Sequence, residues 1–240
     1  MQLYFIRHGQ STNNELWARM GESRERSEDP ELTDTGRKQA AVLAQYLGRS
    51  PSLEDIPQFD NQNIGGFGIT HIYCSLMVRA VATGIVISEV LDLPLVAWEG
   101  VHEAGGIYLD DGETGEKIGR QGKNRAYFKE HFPRLILPGS IDGDGWWNRP
   151  YEEREQRYVR ARCFLDELAT RHGGTEDRVA IVSHAGFYNY LLTELLGLPQ
   201  QSGYWFSLNN AAITRIDFRP EDVGLVYLNR LDFLPRELVT

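Results

Sequence analysis

Two stretches far apart in the chain share one layout. QLYFI at 2–6 is a nearly unbroken apolar run rich in strand formers, and RVAIVS at 178–183 repeats it. A strand with no polar alternation is hidden on both faces, as in a parallel sheet covered by helices on either side. Each run ends at a histidine, His8 or His184, with a glycine one or two residues on and a helical stretch after it. In open α/β sheets ligands sit beyond the carboxyl ends of the strands. Two histidines at two such tips can therefore face one crevice.

The rest of the chain extends this layout. ITHIYC at 69–74 reads as a third, weaker strand. Helices are predicted over 35–47 with Gly48 as the stop, 78–91, 151–172, and 187–196 before Gly197. In the long third helix, Val159, Phe164, Leu165 and Leu168 are expected on one side, with Gly173 and Gly174 closing it. Alternating strands and helices predict a three-layer α/β/α fold with a mostly parallel central sheet. Residues 50–68, rich in Pro, Asn and Gly, read as a loop. Residues 99–150 read as an insertion or lid over the carboxyl ends of the strands, within one domain spanning 1–240. Strand-like pieces in 204–231 should extend the sheet.

Composition narrows the partners. The 240 residues carry a formal charge of −9, with 41% hydrophobic and 25% charged side chains. That balance is globular and argues against nucleic acid or an anionic membrane as a partner. It also makes any local cluster of arginines informative. Two cysteines, Cys74 and Cys163, are no disulfide framework and read as small buried hydrophobes. No apolar run approaches membrane-spanning length. Met1 leads straight into strand-like sequence, so a cytoplasmic protein is expected.

Chemistry gathers at the strand tips. Ser11 or Thr12 can cap a helix after Gly9, whose free N–H groups favour an anion, and Asn14 can reach the same place. Arg7 sets a fixed charge beside His8, which pushes the imidazole toward its neutral, nucleophilic form and suits bidentate contact with phosphate oxygens. In YCSLMVRAVATG (73–84), Ser75 is the predicted helix cap and Arg79 can lean toward the crevice. WEGVHEAGG (98–106) places Glu99, His102 and Glu103 in a glycine-rich loop, where a carboxyl group could act as a general acid. No metal site and no cofactor are expected. HExxH is absent, DGDGWW (142–147) puts Trp146 where a calcium loop needs its third ligand, and GGFGIT (65–70) lacks the third glycine of a dinucleotide fingerprint.

Taken in order, RHGQSTNN, PELTDTGRKQA, SLMVRA, the glutamate of VHE, and SHAG resemble the histidine phosphatase superfamily, also called the phosphoglycerate-mutase-like family. The resemblance spans roughly 2–218. It implies that His8 is the nucleophile and becomes phosphohistidine. It implies that Arg7, Arg79 and His184 hold the phosphate oxygens, with Asn14, Thr12 and the backbone at Ala185 and Gly186 adding contacts. Glu103 would protonate the leaving oxygen and then help activate water, with His102 beside it. The expected activity is metal-independent hydrolysis of a small phosphorylated metabolite. A cofactor-dependent phosphoglycerate mutase is the alternative, and a non-catalytic phosphate-binding or scaffold protein is the second. Mutases of this family typically carry a tryptophan where this chain has Asn13, and DPELTDTG looks more like the phosphatase branches. A homo-oligomer stays open.

Several residues keep two readings. Trp146 and Trp147 either pack the insertion onto the domain or wall an apolar leaving group. Arg149, Arg154, Arg157, Arg160 and Arg162 are expected to pair with nearby acids along a solvated helix face, with one near the helix start in reach of a second anionic group. His71, His131 and His172 read as strand or surface histidines.

Overall fold

β1 (Gln2–Arg7) lies deep inside the main sheet, paired in parallel with β7 (Arg178–Ser183) on one side and antiparallel with β8 (Ile213–Phe218) on the other. The computed structural model describes residues 1–21, 25–49, 60–141, 143–200 and 203–240. Beyond β7 the sheet continues in parallel through β2 (His71–Cys74), β3 (Leu95–Ala97) and β6 (Leu135–Ile136). β9 (Val223–Arg230) closes the far edge antiparallel to β8, giving the order β6-β3-β2-β7-β1-β8-β9. Five parallel strands and two antiparallel ones make the mostly parallel sheet that the unalternating runs demand.

The strand pleat sorts β1 between two cores. Tyr4 and Ile6 pack with Leu43, Leu47, Val81 and Ile87 of α2 (Asp34–Leu47) and α3 (Val78–Leu91). Leu3 and Phe5 point the other way, onto Phe164 and Leu168 of α5 (Arg154–His172) and Phe187, Leu191 and Leu192 of α6 (Ala185–Leu195). Every side chain from Leu3 to Ile6 is fully buried. In α5 the buried stripe is Tyr158, Ala161, Phe164, Leu168 and His172. Val159 lies off that stripe and is exposed, against expectation, because steps of three and four residues from Phe164 reach Ala161 and Leu168 instead.

Segment 99–150 does more than cover the strands. It holds a hairpin, β4 (Tyr108–Asp110) with β5 (Lys117–Gly119), then α4 (Arg125–His131), then β6, which joins the main sheet at its edge. Trp146 and Trp147 are buried in the core beneath Ile107 and Phe128, so they pack this segment. Of the predicted 50–68 loop, 60–68 is turn and coil; positions 50–59, and Asp142 of DGDGWW, lie outside the described residues. Cys163 is exposed, unlike Cys74, because it falls on the outer side of α5. No helix among the described residues is long and apolar enough to cross a membrane.

The PELTDTGRKQA stretch is a scaffold for the loop after β1. Thr33 caps α2 by accepting from Gly36 N at 3.0 Å, and its hydroxyl lies 2.7 Å from Gln10 Oε1. Thr33 N donates to Gln10 O at 2.9 Å, and Gln10 N donates to Gln39 Oε1 at 2.7 Å. Gly9, Gln10 and Gly36 meet backbone to backbone, so a Cβ on Gly36 would fall inside the Gln10 carbonyl. Gly36→Ala should therefore force α2 away from the loop and destabilise the fold by about 1–3 kcal/mol. Chemical denaturation of the variant checks this; an unchanged midpoint would contradict it.

Candidate active site

The register of β1 against β7 builds the site. Arg7 lies opposite Ser183, so the next residues, His8 and His184, are neighbours on adjacent strand tips. His8 N still donates to Ser183 O at 3.0 Å, and the two imidazole centroids are 5.0 Å apart. Both rings are buried, His8 at 2% exposure.

The hydrogen bonds of His8 fix its tautomer. Nδ1 is 2.6 Å from Gly9 O, an acceptor only, so Nδ1 carries the proton. Nε2 then presents a lone pair, and Arg79 Nε donates to it at 3.1 Å. Burial pushes the His8 pKa well below the usual histidine range, and the charges of Arg79 and Arg7 push the same way. A neutral ring whose unprotonated Nε2 is engaged only by an arginine N–H is chemically able to act as a nucleophile. The pKa of His184 is also driven well down, by burial first and then by Arg79. Among the described residues, neither nitrogen of His184 has a hydrogen-bond partner. An unpaired buried donor of this kind is costly unless a ligand uses it.

A cavity of about 370 Å³ opens over His8, lined by Arg7, Arg26, Arg79, Asn13, Asn14, Ser11 and Glu103 among others. Larger hollows of about 730 and 620 Å³ lie against β5 and α5 and contain neither His8 nor His184. Three guanidinium groups converge here in a chain of net charge −9. Burial lowers the Arg7 pKa to about 10, which leaves it protonated at neutral pH, and Arg7 Nη1 is held by Leu208 O at 2.5 Å. Arg26 lies over the Tyr108 ring, 4.1 Å from its centroid.

Glu103 reaches the cavity from the loop after β3. Its carboxylate accepts from Ala104 N at 2.7 Å, Phe187 N at 2.9 Å and Gly186 N at 3.2 Å, so it also caps α6. Arg160 clamps that loop from behind. It donates to Gly100 O and His102 O at 3.0 and 2.9 Å and forks onto Glu152 at 2.6 and 2.7 Å.

Asp29 is the main residue that sequence reasoning missed. It is 6% exposed and accepts from Val78 N, the first residue of α3, at 3.0 Å. The same oxygen lies 3.8 Å from Arg79 Nη1, and the other carboxylate oxygen has no hydrogen-bond partner among the described residues. Ser75 therefore does not cap α3; its hydroxyl accepts from Met77 N, and the cap comes from a distant loop. Burial outweighs the attraction of Arg79 and raises the Asp29 pKa to about 6. Asn210 is the other omission. Its Nδ2 lies 3.1 Å from both His8 O and Asn14 Oδ1, joining the His8 loop to α1 (Thr12–Met20).

The predicted residues fall into three groups. His8, Arg7, Arg79, Glu103 and Asn14 line one cavity, and His184 lies beside His8 with its ring tilted at 57°, without lining that cavity. Asn14 Oδ1 is engaged by Ser11 N and Ser11 Oγ in a capping box. Ala185 starts α6, and Gly186 N is taken by Glu103. Thr12 and His102 do not line the cavity. Ser11, not Thr12, is the helix cap, and Thr12 is exposed. His102 is buried against Trp147 and Trp146, with ring centroids 4.7 and 5.9 Å away. None of the five arginines of 149–162 lines it; Arg162, for one, pairs with Glu194 at 2.9 Å. Among the described residues, the one grouping of His, Cys, Asp or Glu able to share a cation lies outside this cavity.

Comparison with known proteins gives the family of the chain. Phosphoserine phosphatase 1 of Hydrogenobacter thermophilus is 24% identical over 230 residues, covering 95% of this chain and 92% of that protein. The probable phosphoglycerate mutase GpmB of an Enterobacter strain is 27% identical over 222 residues, covering 91% and 86%. The structure of a phosphoserine phosphatase variant from Entamoeba histolytica with phosphoserine superposes with a TM-score of 0.58 at 22% identity, covering 98% and 99%. The profile of the histidine phosphatase superfamily (branch 1) matches residues 3–55 and 61–231. With that match across nearly its whole length, the chain belongs to the histidine phosphatase superfamily.

Proposed function

We propose that the protein hydrolyses small phosphomonoesters through a phosphohistidine on His8. The observation that carries this reading is the neutral, buried His8, whose Nε2 lone pair faces Arg79 at the floor of the cavity. In this reading the phosphoryl group enters between the two side chains and Arg79 turns its N–H groups onto the phosphate oxygens. Nε2 forms a bond to phosphorus as the ester P–O bond breaks. Arg7 and an N–H of His184 hold the equatorial oxygens, where charge concentrates. Glu103 gives a proton to the leaving alkoxide. It then takes one from a water that attacks the phosphohistidine, releasing inorganic phosphate and restoring His8. Three guanidinium groups supply the positive charge, so a metal ion has no role in this chemistry.

A cavity of about 370 Å³ suits a small ester. Arg26 at its mouth faces a second anionic group, such as the carboxylate of phosphoserine or a phosphoglycerate. Both relatives described above bear names of that chemical class. Hydrolysis is favoured over phosphate transfer by Asn13, which lies where mutases of the family typically carry a tryptophan. Its side chain exchanges hydrogen bonds of 2.8 and 2.9 Å with the backbone of Ser27, anchoring the loop that carries Arg26 and Asp29.

The wild type should release phosphate from phosphoserine or a related ester in the presence of EDTA. His8→Ala should lose at least about 1000-fold in kcat, and Glu103→Gln about 100-fold or more. Phosphate release assays decide this. Activity that EDTA removes, or isomerisation of 3-phosphoglycerate faster than phosphate release, would contradict it.

Asp29 is read as the positioning residue for Arg79. Its folded pKa of about 6 lies above the ordinary carboxyl value of 3.8, so folding favours the protonated form. The stabilisation is complete below pH 3.8 and is lost as pH rises through about 6. Relative to Asp29→Asn, the wild type should therefore gain about 1 kcal/mol of stability between pH 7.5 and pH 5. Paired denaturant titrations at the two pH values measure the difference; parallel behaviour of the two proteins would refute the assignment.

A further inference from the structure

We propose that His71, His172 and Asp177 form a binding site for a divalent cation of the zinc type, at the end of the sheet opposite the phosphate cavity. One ligand atom from each of the three lies within 4.8 Å of the others. His172 Nδ1 is 2.9 Å from Asp177 Oδ2, and His71 Nδ1 is 3.9 Å from Asp177 Oδ1. Tetrahedral zinc with bonds near 2.0–2.2 Å sets its ligand atoms about 3.3 Å apart. The two contacts reach different oxygens of Asp177, so the carboxylate can face both imidazoles, and drawing one atom of each residue from within 4.8 Å to about 3.3 Å takes side-chain shifts of at most roughly 1.5 Å. Two imidazoles and a carboxylate are a borderline-soft donor set that suits zinc and nickel better than magnesium or calcium.

The ligands stand on regular structure. His71 opens β2, His172 ends α5, and Asp177 immediately precedes β7. The turn between the last two is tied by Thr175, whose Oγ1 donates to His172 O at 2.8 Å and accepts from Asp177 N at 3.1 Å. His172 is 3% exposed, so its ring is held by packing, while His71 and Asp177 are open enough to admit an ion. The His71 and His172 rings meet edge to face with centroids 4.7 Å apart.

Outer partners match this role. His172 Nε2 is 3.1 Å from Tyr73 Oη. With a cation on Nδ1, the single ring proton moves to Nε2, where Tyr73 accepts it and fixes the tautomer, as second partners of metal-bound histidines do. His71 Nδ1 is 2.9 Å from Thr70 Oγ1, and that hydroxyl has another acceptor in Arg178 O at 3.2 Å. His71 can therefore release Nδ1 without leaving the hydroxyl unpaired. A cation here would join the starts of β2 and β7 to the end of α5. The strands of β7 length put it roughly 20 Å from His8, so it takes no part in the reaction.

The test is Zn²⁺ titration of the full chain by calorimetry, with thermal melts with and without Zn²⁺. The proposal expects one site with Kd below about 10 µM and a melting point raised by Zn²⁺. His8→Ala and Cys163→Ser should keep the site, since imidazoles of the phosphate cavity and the exposed thiol are the competing ligands. His71→Ala, at an exposed strand end, should weaken binding at least tenfold while leaving the zinc-free melt and phosphate release unchanged, and Tyr73→Phe should weaken it about tenfold. The proposal is overturned if no saturable one-site binding occurs, if His71→Ala binds Zn²⁺ as tightly as the wild type, or if binding is lost with His8→Ala or Cys163→Ser.

Discussion

The Nδ1 of His8 lies 2.6 Å from the carbonyl oxygen of Gly9, and the chemistry of the cavity depends on that contact. A carbonyl can only accept, so the proton is held on Nδ1 and the lone pair is left on Nε2. Burial and two guanidinium charges then keep the ring from gaining a second proton. Each factor alone is ordinary. Together they turn a histidine at a strand tip into a group that is neutral, oriented, and facing Arg79.

Much of the surrounding sequence serves to hold that geometry. Gly36 lets α2 approach the Gln10 backbone, Gln39 and Thr33 bind Gln10, and Asn210 binds the His8 carbonyl. Asp29 caps α3 and lies beside Arg79 at the cost of a buried, half-satisfied carboxylate. Arg160 and Glu152 form a largely buried pair whose further hydrogen bonds to Gly100 and His102 fix the loop of Glu103. Removing one partner of such a pair leaves a buried charge uncompensated, which ties the position of Glu103 to the stability of the fold. The positive cavity thus persists in an acidic chain because neighbouring backbone and carboxylates hold the guanidiniums in place.

What was legible in the sequence follows from what is local. The unalternating runs at β1 and β7 revealed the parallel sheet, and their shared histidine endings revealed two groups at one edge. Parallel pairing in register then made neighbours of His8 and His184. The chemistry was only implied, through the resemblance that the motifs taken in order bear to the histidine phosphatase superfamily. Residues acting across long separations were not legible. Asp29 meets Val78 forty-nine positions away and Asn210 meets His8 two hundred and two positions away, with no spacing rule to connect either pair. Arg26 was hidden for the same reason, and Arg160 was read as solvated because its helix is densely charged. His172 falls on the buried stripe of α5, which a period-matched reading of the whole helix could have found.

The account is tested most directly by rapid quench of the enzyme during turnover of a ³²P-labelled monoester. It predicts label on the protein that survives alkali, is lost in acid, approaches one phosphoryl group per chain at most, and maps to Nε2 of His8. His8→Ala should carry none. Turnover with no trapped label, or label that maps to another side chain or persists in His8→Ala, would contradict it.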